Sequence, residues 1–180
     1  MDIRIETKDI ILRKIELKDK DTFQEMRNEQ YILKWMPDWE STKEDTEKWI
    51  TELNDFYDKQ TKDDMWCQLA IERKLDGVVM GLIALQTKFE VNSEIEIAYF
   101  ISEKYSGKGY MKQAANAILE WGFDNYNLPF VMAIVEIDNY PSQKIVESVG
   151  FKKIETKMIL NSGEDKEKPF YYYRYDKDVI

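Results

Sequence analysis

The sequence contains no histidine and only one cysteine in 180 residues. The missing histidine excludes Ser-His-Asp and Cys-His catalytic groups and the usual zinc sites, so we expect no bound metal. The single cysteine, Cys67, cannot form an internal disulfide, which is typical of a reducing compartment. It lies in an apolar, strand-like segment, Trp66 to Ile71, and we expect a packed thiol rather than a nucleophile. Proton transfer must therefore use carboxylates, tyrosine, serine, lysine or water.

Positive charge is also scarce, with 26 Lys and Arg against 35 Asp and Glu and a net charge of −9. We therefore expect no nucleic-acid partner, because phosphate binding needs a basic surface. The acidic balance is compatible with an amine-bearing substrate, although a solvated acidic surface is the more common explanation. No apolar run reaches the length of a membrane span, and Met1 to Glu6 lacks the apolar core of a signal peptide. We expect a cytoplasmic protein without a membrane partner.

The strand and helix patterns predict one α+β domain covering residues 1–180. A hairpin signal at Leu75-Asp76-Gly77 joins two strands, and a third antiparallel strand follows. A strand, a helix and a second strand then form a right-handed crossover between parallel neighbours. A last hairpin turns at Asn161-Ser162-Gly163. The prediction is a mixed, mostly antiparallel sheet of about seven strands with about four helices.

Two helices are predicted before the sheet's central strands. Asp19 or Asp21 can cap the first, which runs to about Leu33. Ser41-Thr42-Lys43-Glu44 has the spacing of a capping box and opens the second, which ends near Gln60.

The chain is organised around the segment from Glu94 to Ala115, which begins as a strand and ends as a helix. Between them lies Ser106-Gly107-Lys108-Gly109. The first N–H groups of a helix have no intrahelical partner, and glycines let the backbone approach a ligand, so this turn is suited to a phosphate. A plain connection is the alternative. The turn is neither a Walker A loop, because Gly109 follows Lys108, nor G-x-G-x-x-G, because residue 112 is lysine.

Four motifs in fixed order extend this interpretation: Glu96-Ile97-Ala98-Tyr99, Gly107-Lys108-Gly109-Tyr110, Asn139-Tyr140-Pro141-Ser142 and Gly150-Phe151. Together they resemble the GNAT superfamily, and within it the RimJ/RimL-type N-acetyltransferases, over nearly the whole chain. The resemblance implies a V-shaped splay between the central strands and acetyl-coenzyme A as co-substrate.

The resemblance also implies how the cofactor is held. Backbone groups of Phe100 and Ile101 would bind the pantetheine arm, turn amides the pyrophosphate, and Asn139 the arm or the amine, with Ser142 near the sulfur. The implied contact residues are Phe100, Ile101, Ser106, Gly107, Lys108, Gly109, Tyr110, Met111, Asn139 and Ser142. Three positions depart from the family pattern. Ser106 replaces the usual Arg or Gln, Met111 replaces Gly or Ala, and Val146 stands where many members carry a tyrosine acid.

The reaction requires a group that accepts the proton of the amine. Glu96 is the first candidate because its strand position matches a family carboxylate, and Glu94 on the same face is the second. For both, an exposed strand carboxylate is the alternative. Ser142 is the candidate proton donor to the thiolate, or only a first-turn helix residue. With no activated nucleophile, direct transfer is expected.

An aromatic segment broken by proline contains Tyr31, Trp35 and Trp39. It either packs as a loop or, with Glu96, lines the substrate pocket. The predicted function is acetyl-coenzyme A-dependent N-acetylation of a primary amine, at a protein N-terminus or on a small molecule. A noncatalytic acyl-coenzyme A-binding module and an antibiotic-inactivating acetyltransferase are the alternatives. A monomer or a homodimer is expected.

Overall fold

The computed structural model describes residues 3–160 and 165–177. This part of the chain contains eight strands and five α-helices, which agrees with the predicted α+β class and exceeds each predicted count by one. The turn predicted at Asn161-Ser162-Gly163 lies outside the described residues. The strands are β1 (Arg4–Glu6), β2 (Ile10–Lys14), β3 (Trp66–Arg73), β4 (Val79–Lys88), β5 (Glu94–Ile101), β6 (Phe130–Glu136), β7 (Lys152–Ile159) and β8 (Lys168–Asp176). The helices are α1 (Lys20–Arg27), α2 (Gln30–Leu33), α3 (Lys43–Phe56), α4 (Tyr110–Tyr126) and α5 (Tyr140–Val149).

The strands form one sheet in the order β1-β2-β3-β4-β5-β6-β8-β7. Every neighbouring pair is antiparallel except β5 and β6, which are parallel and joined through α4, as the predicted crossover requires. β5 pairs with β4 along its whole length, from Gly81↔Ile101 to Lys88↔Glu94. Its register with β6 is a single pair, Glu96↔Met132. The two central strands therefore diverge beyond Glu96, and the predicted V-shaped splay is confirmed.

Helix α4 covers one face of the sheet because most of its side chains are apolar and buried, among them Ala114, Ile118 and Phe123. Gly122 lets the helix approach β4 closely, since a Cβ at this position would meet the Leu85 side chain. Cys67 on β3 is fully buried, so the predicted packed thiol is confirmed, and burial raises its pKa to about 12.

Two details of the first helices differ from the prediction. The helix predicted to reach Leu33 is interrupted between Arg27 and Gln30, and Asp19 at its start binds Arg13 instead of capping the helix through its side chain. The capping box at α3 is shifted by one residue. Thr42 is the N-cap, and its partner three residues later is Asp45. Asp19 takes a tertiary partner and the Ser41 hydroxyl contacts Thr46, choices that sequence spacing alone does not decide.

Candidate active site

A cavity of about 950 Å³ opens where β5 and β6 diverge. It is bounded by the α4 turn, the start of α5 and the aromatic segment after α1. Every site residue predicted from the sequence lines it, apart from Glu94. The predicted residues that line the cavity are Tyr31, Trp35, Trp39, Glu96, Phe100, Ile101, Ser106, Gly107, Lys108, Gly109, Tyr110, Met111, Asn139 and Ser142.

The turn before α4 has the backbone geometry of an anion cradle. Gly107 and Gly109 have φ of +71° and +80°, a region that favours glycine, and a Cβ on either would have no neighbour within 4 Å. Gly109 is the N-cap of α4 and provides no side-chain cap. The first N–H groups of the helix are therefore available to a ligand above the turn. The Ser106 hydroxyl lies 3.0 Å from the Tyr31 hydroxyl, which ties the turn to the aromatic segment.

Glu96 presents a buried carboxyl group at the apex of the cavity. It is only 7% exposed, so the alternative of an exposed strand carboxylate is wrong for this residue. Burial raises its pKa to about 7, although nearby Lys88 and hydrogen bonds from the Gln86 side chain and the Ile134 backbone oppose the shift. The Gln86 amide nitrogen lies 3.3 Å from Glu96 Oε2. A carboxyl group with this pKa can accept a proton near neutral pH.

Ser142 lies in the first turn of α5 and meets β5 across the cavity. Its backbone N–H donates to Asn139 Oδ1 at 3.2 Å, which caps the helix. Its hydroxyl lies 2.9 Å from the Tyr99 hydroxyl. Burial raises the pKa of Tyr99, so the phenol stays protonated and can donate to Ser142. The Tyr99 hydroxyl also donates to the Ser142 backbone oxygen at 3.2 Å, so β5 holds both the backbone and the side chain of Ser142.

Glu94 lies outside the cavity, although it shares a strand face with Glu96. Tyr172 on β8 donates a hydrogen bond of 2.7 Å to Glu94 Oε2. The carboxylate is thus held against the next strands of the sheet, two residues before the point where β5 and β6 part. The structure does not bring this second predicted base into the site.

Strand β5 leaves no room for a side chain at Gly81 of β4. A Cβ at Gly81 would collide with the carbonyl oxygen of Phe100, so only glycine allows this approach. The Phe100 side chain is buried and packs edge-to-face on Trp39, with ring centroids 5.3 Å apart. The aromatic segment therefore both packs against the sheet and lines the cavity.

The cavity residues that sequence reasoning missed include Gln86, Tyr99 and Arg27. Arg27 stacks over Trp39 and Trp49, with its guanidinium carbon about 5 Å from each ring, and its Nη1 has no partner. A pattern signal existed for Tyr99, which belongs to the Glu96–Tyr99 motif. Gln86 and Arg27 sit on separate elements, and only their tertiary contacts identify them.

Neither a metal centre nor a membrane span is found in the described part of the chain. Within residues 3–160 and 165–177, no three Cys, Asp or Glu side chains form a group that could hold a metal ion. No helix in these ranges combines the length and apolar character needed to cross a bilayer.

Comparison with known proteins identifies the family of this chain. The sequence profile described as acetyltransferase (GNAT) domain matches residues 9–152. The chain belongs to the GNAT acetyltransferase family. The predicted resemblance and the prediction of an N-acetyltransferase are thereby confirmed.

Three relatives illustrate the range of the GNAT match. The uncharacterized N-acetyltransferase YnaD of Bacillus subtilis (strain 168) is 26% identical over 151 residues, which is 84% of each chain. Spermidine N(1)-acetyltransferase of Escherichia coli (strain K12) is 32% identical over 102 residues, covering 57% of this chain and 54% of that one. The structure of RimL, a ribosomal L7/L12 alpha-N-protein acetyltransferase in complex with coenzyme A, superposes with a TM-score of 0.83 at 14% identity, over 99% and 100% of the two chains. The RimL-type likeness is thus a likeness of fold.

Proposed function

We propose that the protein transfers an acetyl group from acetyl-coenzyme A directly to a primary amine. One observation carries this proposal: a single cavity joins an uncapped helix N-terminus at Gly109 to the buried carboxyl group of Glu96. The first suits a pyrophosphate and the second suits proton transfer from an amine. A noncatalytic binding module has no need of a carboxyl group with a pKa of about 7 inside its ligand cavity.

The residues of the cavity fit acetyl-coenzyme A. The left-handed glycines Gly107 and Gly109 leave open space above the turn, where amides from 107 to 111 would hold the pyrophosphate. The gap between β5 and β6 leaves the backbone near Phe100 and Ile101 beside the cavity for the pantetheine arm. The Oδ1 atom of Asn139 caps α5, so its amide nitrogen is the group that remains for the arm or the amine.

When bound, acetyl-coenzyme A supplies the activated acetyl thioester. In the proposed reaction a C–N bond forms between the amine and the acetyl carbon, and the C–S bond breaks. Glu96 accepts the proton that the amine nitrogen loses. Ser142 donates a proton to the leaving sulfur and regains one from the solvent, while Glu96 releases its proton to the solvent. The Tyr99 hydroxyl lies 2.9 Å from the Ser142 hydroxyl. No covalent enzyme intermediate is involved, because the cavity contains no activated nucleophile among the described residues.

The proposed acceptor is an amine, either on a small molecule or at a protein N-terminus. The relatives include a protein named for spermidine and one named for a ribosomal protein N-terminus. Tyr31, Trp35 and Trp39 line the same cavity as Glu96 and offer aromatic surface for either form.

Thermal unfolding with acetyl-coenzyme A tests the cofactor assignment. A ligand that binds only the folded protein must raise the unfolding midpoint, by an amount that grows with its concentration. We expect a rise for the wild type, a much smaller rise for Gly109→Asp and an intermediate rise for Gly109→Asn. Asn and Asp have nearly the same shape, and Asn tolerates the left-handed conformation, so the difference between them isolates the charge placed under the pyrophosphate.

Thiol release with a panel of amines then tests the reaction. Spermidine, amino acids and short peptides with free N-termini are suitable acceptors, and Glu96→Gln and Ser142→Ala are the informative variants. Turnover that falls in Glu96→Gln, with the thermal shift kept, supports the proposal. A thermal shift without turnover on any amine would favour a binding module, and no shift at saturating acetyl-coenzyme A would overturn the cofactor assignment.

A further inference from the structure

A continuous chain of hydrogen bonds crosses the sheet and ends on the carboxyl group of Glu96. The Trp49 indole N–H donates to Gln68 Oε1 at 3.0 Å. Gln68 Nε2 donates to Gln86 Oε1 at 3.2 Å, and Gln86 Nε2 donates to Glu96 Oε2 at 3.3 Å. The chain thus links α3, β3, β4 and β5.

The register of the sheet brings these side chains together on one face. Gln86 lies directly opposite Glu96 on the neighbouring strand. Gln68 lies opposite Ala84, which makes it the diagonal neighbour of Gln86. Gln68 is 4% exposed, so its amide has no access to bulk water and depends on these partners.

The direction of the chain follows from its first member. An indole N–H can only donate, so Gln68 must turn its oxygen towards Trp49. Its NH₂ group then faces Gln86, which must present its own oxygen in return. Gln86 is left with an NH₂ group facing Glu96. The orientation of both amides is therefore set by the tryptophan and does not depend on how either amide is assigned.

We infer that Gln68 and Gln86 are positioning residues that keep a hydrogen-bond donor directed at Oε2 of Glu96 and so hold its carboxyl group in place to take the proton of the amine. The inference rests on the proposed role of Glu96 as the base. An N–H directed at Oε2 disfavours a proton on that oxygen. A donor directed at the carboxylate also favours its ionised form.

Other groups face Glu96 and must stay constant in a test. The Lys88 side chain and the Ile134 backbone N–H lower its pKa, and Glu90 raises it. Tyr99 lies on the same strand and is affected by the charge of Glu96. Gln68 does not line the cavity. A substitution at Gln68 therefore changes the hydrogen-bond chain and leaves the surroundings of the carboxyl group in place.

The decisive variant is Gln68→Met, which keeps the length of the side chain and removes its hydrogen bonds. Gln86 then loses its donor and can rotate its amide, so the N–H directed at Glu96 is no longer enforced. We expect the pKa of Glu96, measured by NMR titration of its side-chain carbon, to rise by about 0.5–1 unit, the size expected for one weakened hydrogen bond. The acid limb of the kcat/KM profile should move to higher pH by the same amount. At a pH below the pKa of Glu96, kcat/KM should therefore fall three- to tenfold.

Gln24→Met is the matched control. The Gln24 amide contacts the Ser41 carbonyl and lies outside both the chain and the cavity. This variant should leave the titration and the pH profile unchanged. If Gln68→Met fails to fold, Trp49→Phe serves instead. It removes the indole N–H that donates to Gln68 and so interrupts the hydrogen-bond chain at its first member.

The two measurements separate this inference from the proposed function. A shift in both the pKa and the pH profile supports both. A shift in the pKa alone supports the positioning role and contradicts Glu96 as the base. An unchanged pKa in a folded Gln68→Met or Trp49→Phe protein overturns the inference, whatever the activity does.

Discussion

Glu96 carries an ionisable group in a site nearly closed to water, so the stability of the protein depends on its protonation. The carboxyl pKa is about 7 in the folded protein and 4.5 ordinarily. Between these values the folded state binds more protons than the unfolded state, and the free energy of unfolding therefore falls as pH rises. We expect this one group to remove about 3 kcal/mol across that range.

The measurement is chemical denaturation of the wild type and Glu96→Gln from pH 4 to 8. Other groups titrate in both proteins, so the difference between the two curves isolates Glu96. We expect the difference to favour the glutamine variant increasingly above about pH 5 and to level off above pH 7. Two parallel curves would show that the carboxyl group is ionised at little cost in the folded protein.

At the residue scale, the sequence indicated which side chains are candidates for chemistry but not which of them are buried. Glu94 and Glu96 have the same residue type and share a strand face, and both were candidates. In the structure the two residues have different surroundings. β6 diverges from β5 just beyond Glu96, which opens the cavity there, whereas Glu94 accepts a hydrogen bond from the Tyr172 hydroxyl. The sequence did not identify Gln86, because its contact with Glu96 depends on the pairing of β4 with β5.

At the scale of elements, Arg13 joins β2, the start of α1 and β3. Its guanidinium makes a two-pronged contact with Asp19, at 2.7 and 2.9 Å, and its Nε lies 2.6 Å from Glu72. Arg13 is 12% exposed and Asp19 5%. Removing one partner of such a buried pair leaves a charge without compensation.

We therefore expect Arg13→Met to lower the free energy of unfolding by about 3–5 kcal/mol, measured by urea denaturation at neutral pH. Arg4→Met is the control, because the pair of Arg4 with Glu6 is half exposed on both sides and should matter little. Equal losses in the two variants would contradict the assignment of the buried pair.

Elements with strong periodicity were predicted well, and their ends were not. The strand-like segment predicted from Trp66 to Ile71 lies within β3, which continues to Arg73, and α4 follows Gly109 as predicted. The break between α1 and α2 was missed because the sequence from Asp19 to Leu33 is compatible with one helix. Asn28 lies at the break, and its side-chain amide donates to the Ser41 carbonyl across the following loop. Sequence periodicity does not reveal this tertiary contact.

At the scale of the whole molecule, one sheet runs from β1 to β7, and one large cluster of buried residues packs against it. We predict that residues 1–180 unfold as a single domain. Calorimetry should give one transition whose calorimetric and van't Hoff enthalpies agree. Two resolved transitions would indicate that the strands on either side of the splay unfold independently.

The single backbone pair between β5 and β6 is where the two halves of the sheet meet, and Glu96 belongs to it. In any hinged object, a rotation displaces each point in proportion to its distance from the axis. Opening or closing the two arms would therefore move the turn at Gly107 and the start of α5 far more than the carboxyl group. Such a rotation would change the width of the cavity while leaving the Glu96 carboxyl group near its place.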